Sequence, residues 1–121
     1  MDYPGANKIE MREKSIEYLV STKNADAVEA LLNLISDPAP EIRVAVIDGL
    51  AALNARNALP AIVKKLRDAN AGVRQSAATA IALVGDSSNV KDLKPLTSDR
   101  DANVVAAVEM AIRKLSAANK K

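Results

Sequence analysis

No cysteine, histidine, phenylalanine or tryptophan occurs anywhere in this chain of 121 residues. Without cysteine there are no disulfides and no thiolate chemistry. Without histidine, the commonest general base and the commonest metal ligand are both missing. Aromatic residues make up 2%, namely Tyr3 and Tyr18. The core must therefore be built from Leu, Ile, Val and Ala, which suits thin helical layers better than a β-sandwich. No apolar run approaches the roughly 18–20 residues that span a membrane. The opening residues, MDYPGANKIEMREK, lack the apolar stretch of a signal peptide. A cytoplasmic location is the expectation, with no membrane contact and no cofactor. Neither charge sign dominates: 17 basic residues stand against 15 acidic, a net +2. That is a weak pointer to a polyanionic partner.

What is present is a repeat. Hydrophobic residues make up 49% and charged residues 26%, ordinary values for a globular domain. Sliding the chain along itself until Asp37 falls on Asp68 lays DPAPEIR (Asp37 to Arg43) on DANAGVR (Asp68 to Arg74). The same step again reaches DRDANVV (Asp99 to Val105), and one step back reaches Met11 and Arg12. The apolar columns keep register: Ile42, Val73, Val104; Val46, Ala77, Val108; Leu50, Ile81, Ile112; Leu53, Val84, Leu115. Their spacing of i, i+4, i+8, i+11 is one face of an α-helix. This predicts four "A" helices at about 8–22, 40–54, 71–85 and 102–117. Pro40 suits a first helical position, and Asn70 and Asp101 suit N-caps.

A second repeated helix, "B", lies between them. Its apolar positions are Val28, Leu31, Leu32 and Ile35, then Leu59, Ile62, Val63 and Leu66. Asp26, Asn57 and Ser88, in the same repeat register, are its expected N-caps. The third B copy is degraded, since Lys94 replaces an apolar residue and Pro95 should end the helix. One helix pair cannot bury its apolar face, but a stack can. Ala45 and Gly49, Ser76 and Ala80, Ala107 and Ala111 form a small-residue column that would let neighbouring helices approach. Lys14 and Tyr18 occupy it in the first copy, as an N-terminal cap would allow.

These residues resemble the HEAT-like repeat family, in particular the short-repeat branch found in phycobilin lyase subunits. The pattern D-x-x-x-x-[VI]-R stands intact at Asp37–Arg43 and Asp68–Arg74, while Val105 replaces the third arginine. The resemblance covers roughly residues 9–116. It implies an all-α, right-handed α-solenoid of about three and a half helical-hairpin repeats, with A helices outside and B helices lining a concave face. The repeats fall at about 8–37, 38–68 and 69–99, with a half repeat at 100–117 and tails at 1–7 and 118–121. In such repeats the loop Asp and helix Arg form a ladder, here Arg12, Arg43 and Arg74 with Asp37, Asp68 and Asp99. Val105 ends it.

Candidate sites are few. Lys64, Lys65, Arg67, Lys91 and Lys94 fall on two successive B helices, either as a basic patch or as a plain solvated face. Glu29, Asn33, Lys64 and Lys91 lie opposite the apolar B positions and are candidates for a partner groove, with Lys65 beside them. No aromatic residue accompanies the lysines, so nucleic acid is an unfavoured partner. Glu13 and Glu17 stand i, i+4, but with no histidine and no third ligand they are surface charge, and no metal site is expected. Val84 to Asn89, VGDSSN, has one glycine and is a turn, not a phosphate loop. HEAT-like enzymes of two other types need His-Glu metal pairs or an aromatic-rich cleft, both absent. The last helix shows Val104, Val105, Val108, Met110, Ile112 and Leu115. Val105 and Met110 could mark an open-end interface for a homodimer or a protein partner; a longer array or a folded-back cap would cover the same surface. The functional expectation is a non-catalytic protein-interaction scaffold. The alternatives are an accessory subunit of a bilin lyase-type enzyme and a weak nucleic-acid backbone binder.

Overall fold

The computed structural model describes residues 4–118, and the side chains of residues 8–117. Seven α-helices occur among them: α1 (Pro4–Thr22), α2 (Ala25–Leu32), α3 (Pro40–Ala52), α4 (Leu59–Lys64), α5 (Ala71–Val84), α6 (Val90–Leu93) and α7 (Ala102–Ala118). The A helices are α1, α3, α5 and α7, and each packs on the next. Helix α1 already begins at Pro4, so residues 4–7 belong to it rather than to a tail. Of the expected tails, residues 1–3 and 119–121 lie outside the described residues. No described helix is long and apolar enough to cross a membrane. The B elements are shorter than their periodicity suggests. A 3₁₀ turn at Arg56–Ala58 leads into α4, and another at Lys65–Arg67 follows it. The third copy is α6 between turns at Ser87–Asn89 and Lys94–Ser98. Pro95 ends the α-helical part, as its missing N–H requires, but the chain continues in 3₁₀ form.

One continuous aliphatic core runs through the stack. Ile42, Val46, Leu50, Val73, Ala77, Ile81, Val104 and Val108 are all fully buried. The small column faces the preceding repeat: a Cβ on Gly49 would stand 2.8 Å from Val20 Cγ2 of α1. Another column runs Ile16, Ile47, Ala78, Glu109. Its first three members are buried and Glu109 is exposed. Helix α7 thus places a charge where the earlier repeats place apolar side chains. This corrects the broad apolar open end. Val104, Val108 and Leu115 are buried in the core, while Val105 and Ile112 are partly covered. Met110 stays exposed, in the column that holds Asp48 and Thr79 in the earlier copies.

The B-helix caps stand two residues earlier than their composition suggests. Asn24, not Asp26, caps α2, accepting from the Asp26 amide at 2.8 Å. Asp86, not Ser88, caps the third copy and shares a capping box with Asn89. Asn57 lies inside a 3₁₀ turn, and Ala55, one repeat from each true cap, makes no side-chain cap. Asn70 and Asp101 do accept from helix-start amides, of Val73 and of Asn103 and Val104. Lys23 and Asn54, one repeat apart, both leave their A helices with φ of 53°. Asparagine tolerates that left-handed conformation better than lysine. In the third copy the turn uses Gly85 instead. A Cβ there would meet the Ile81 carbonyl at 2.7 Å.

Three ion pairs tie the loops among the described residues: Arg12–Asp37 at 3.2 Å, Arg43–Asp68 at 3.0 Å and Arg74–Asp99 at 2.9 Å. Arg43 and Arg74 grip twice. Their Nη1 atoms donate to the carbonyls of Asp37 and Pro38, and of Asp68 and Ala69, in their own loops. Their Nε and Nη2 atoms hold the next loop's carboxylate. Each carboxylate also accepts a backbone amide two residues on, which shapes the loop. The first rung is looser: Arg12 Nη2 donates at 3.3 Å, and the buried Nε, though near Asp37, is poorly aligned for a hydrogen bond. Val105 stands where an arginine would grip the third loop's carbonyls.

Candidate functional site

Neighbouring repeats leave clefts where their B elements and loops meet. One of about 520 Å³ lies between the second and third repeats. Its wall includes Leu66, Arg67, Asp68, Pro95, Asp99 and Arg100. A smaller cleft of about 130 Å³ adjoins it and shares Leu66, Arg67, Pro95 and Leu96. It adds Val63, Lys91 and Asp92. Arg67 stands at the junction because the turn Lys65–Arg67 ends the second B element at the loop edge. Arg100 reaches the cleft because it directly follows Asp99, whose side chain holds the loop turn.

The electrostatics favour an anion. Two carboxylates in the wall, Asp68 and Asp99, are already held by Arg43 and Arg74. Burial by itself would raise the Asp68 carboxyl. The hydrogen bonds from Arg43 and the Asn70 amide, with the Arg43 and Lys65 charges, bring it below its usual value. Hydrogen bonds from Arg74 and the Asp101 amide lower Asp99 in the same sense. These carboxylates are committed to the ladder. Arg67, Lys91 and Arg100 are exposed and form no ion pair among the described residues. Asp92 is partly occupied, its Oδ2 accepting from the side-chain Nδ2 of Asn89 at 3.2 Å. A guanidinium pair at a cleft edge can take a carboxylate or phosphate in two-pronged fashion.

The sequence candidates divide. Lys64 and Lys91 are exposed on successive B elements, with Lys94 nearby. Lys65 is different: it is half-buried and donates to the Ser36 hydroxyl at 3.1 Å, tying the second repeat to the first. Glu29 and Asn33 are exposed at α2 but line neither cleft. Arg100 escaped sequence reasoning because it stands at a loop position where the earlier copies have Pro38 and Ala69. The break in that column is the only signal it leaves. No group of three or more potential metal ligands occurs among the described residues.

The repeat columns, the buried aliphatic seam and the ladder make a layered stack of helical hairpins. The family model for HEAT repeats matches residues 6–70 and 28–113. No curated protein matches the chain closely enough to extend that comparison. The matched spans cover most of the sequence and coincide with the stacked hairpins, so the chain belongs to the HEAT-repeat family.

Proposed function

We propose that this chain is a non-catalytic interaction module whose B-helix side takes an acidic segment of a partner protein. HEAT repeats are commonly protein-interaction scaffolds, and stacked repeats offer long continuous surfaces for that purpose. The observation that carries the specific reading is the paired cleft holding Arg67, Lys91 and Arg100. The apolar walls of Val63, Leu66 and Leu96 suit a partner that alternates carboxylates with small apolar side chains. The test is calorimetric titration with an acidic peptide and, separately, with single-stranded DNA. Arg67→Glu with Arg100→Glu should weaken the peptide by about tenfold or more, the loss of one good charged contact. Equal peptide affinity in the variant would reject the cleft. Tighter binding of DNA than of peptide would favour a nucleic-acid backbone partner instead. A second contact, between copies of the chain through α7, is favoured by the 64% exposure of Met110.

A further inference from the structure

The outer face of the A-helix stack changes character from end to end. A groove of about 550 Å³ opens there between α1 and α3. Ile16, Val20, Ala45, Gly49 and Ala52 make its floor apolar. Glu13, Glu17 and Asp48 form its rim, and no cation lines it among the described residues. The groove exists because α3 carries so little side chain here. One repeat on, the Ala52 position holds Leu83, which is 56% exposed, and the next holds Lys114. Partial desolvation also raises the Asp48 carboxyl above its usual value, with a smaller opposing effect from the Ser76 hydroxyl.

The far end of the same ridge has the opposite chemistry. Glu17, Asp48, Thr79 and Met110 occupy one column of the repeat. The column passes from acidic, through neutral, to apolar. Arg113 and Lys114 follow Met110 by three and four residues, so all three share one exposed patch of α7. Neither cation is ion-paired among the described residues. An exposed thioether flanked by two cations is the complement of an apolar floor rimmed by carboxylates.

We infer that the outer A-helix face is a self-complementary surface that takes a second, antiparallel copy of this chain. Met110 of each copy enters the α1/α3 groove of the other, and Arg113 and Lys114 meet Glu13, Glu17 and Asp48. Thr79 and Leu83 lie midway along the ridge on α5. A two-fold axis there fills both grooves at once and brings the two exposed Leu83 side chains together. Such a contact is isologous and closes on itself, so it yields a dimer rather than a fibre. This contact rests on the α7 pairing proposed above and gives it a geometry, independent of the acidic-peptide cleft.

Sedimentation equilibrium of the full chain, at low and high salt, tests it. The wild-type chain should show a monomer–dimer equilibrium that weakens in high salt, because exposed charges are screened. Arg113→Glu with Lys114→Glu should weaken the dimer by about tenfold or more, and so should Glu13→Lys with Glu17→Lys. Combining all four changes should restore most of the affinity, since each reversed charge regains its opposite. Val105→Arg, at the open end, should leave the equilibrium unchanged. All these side chains are exposed or partly exposed, so circular dichroism should show folded proteins throughout. A chain that stays monomeric at the highest concentration overturns both this geometry and α7 pairing, leaving the groove to a foreign helix of the same chemistry. A dimer indifferent to both charge reversals overturns the geometry alone. Its loss on Val105→Arg would then move the contact to the open end.

Discussion

Asp68 and Asp99 do two jobs each, turning a loop and receiving an arginine from the preceding repeat. Both carboxyls are held below their ordinary value. In the unfolded chain they bind protons more readily than in the fold. Their contribution is therefore complete above the unfolded pKa of about 3.9 and is lost as pH falls through the lower folded value. Asp48 has the opposite sign. Its folded carboxyl is raised, so it favours the fold at low pH and loses that effect as pH rises through the raised value. Melting temperature should thus fall as pH drops below about 4, with Asp48 opposing the change. Asp68→Asn with Asp99→Asn should melt lower than wild type at neutral pH but lose less on acidification. Thermal melts across that range check it, and parallel curves for the two proteins would show that the ladder does not govern acid stability.

At the scale of the element, the instructive case is the B-helix cap. The column Asp26, Asn57, Ser88 has the composition of caps, yet the column two residues earlier, Asn24, Ala55, Asp86, holds the capping position. Both columns are rich in the same short polar side chains because turns and caps favour the same chemistry. Composition cannot tell which of two such residues leaves helical geometry first. That is settled by where the preceding A helix ends, at Thr22 and at Ala52, and by the left-handed residues Lys23 and Asn54 just after. Asn24→Ala should cost about 1 kcal/mol, the usual value of a cap. Asn57→Ala, exposed and capping nothing, should cost less than about 0.5 kcal/mol. Chemical denaturation of the two variants checks this, and equal losses would return the cap to the later column.

Across the whole molecule, the apolar columns make one core from end to end, so damage at its centre reaches every repeat. Ile81 is fully buried in α5, between α3 and α7. Ile81→Ala should cost roughly 2–5 kcal/mol, whereas Lys64→Ala, exposed on α4, should cost well under about 1 kcal/mol. Urea unfolding measures both. A single cooperative transition is expected, since four stacked A helices share one seam. If Ile81→Ala split the transition into two, the seam would be weaker than its burial implies.

Much of this arrangement was legible before folding. A constant repeat step, an i, i+4, i+8, i+11 stripe and a recurring Asp–Arg pair locate the A helices, the core columns and the ladder partners, because each of these is set by local geometry that recurs in every copy. The short B elements, the true caps and the clefts were not. Arg67 and Arg100 are out of step with the repeat, since one period on from Arg67 stands Ser98, and they line one cleft only because adjacent loops stack. The α1/α3 groove depends on what Gly49 and Ala52 leave empty beside a neighbouring helix. The charge at Glu109 stands exposed where the earlier copies bury Ile16, Ile47 and Ala78 against a neighbouring helix. Periodicity describes what every repeat shares. Surfaces that bind arise where one repeat departs from its neighbours, and whether a departure makes a cleft, a patch or a buried contact is decided by the helix packed against it.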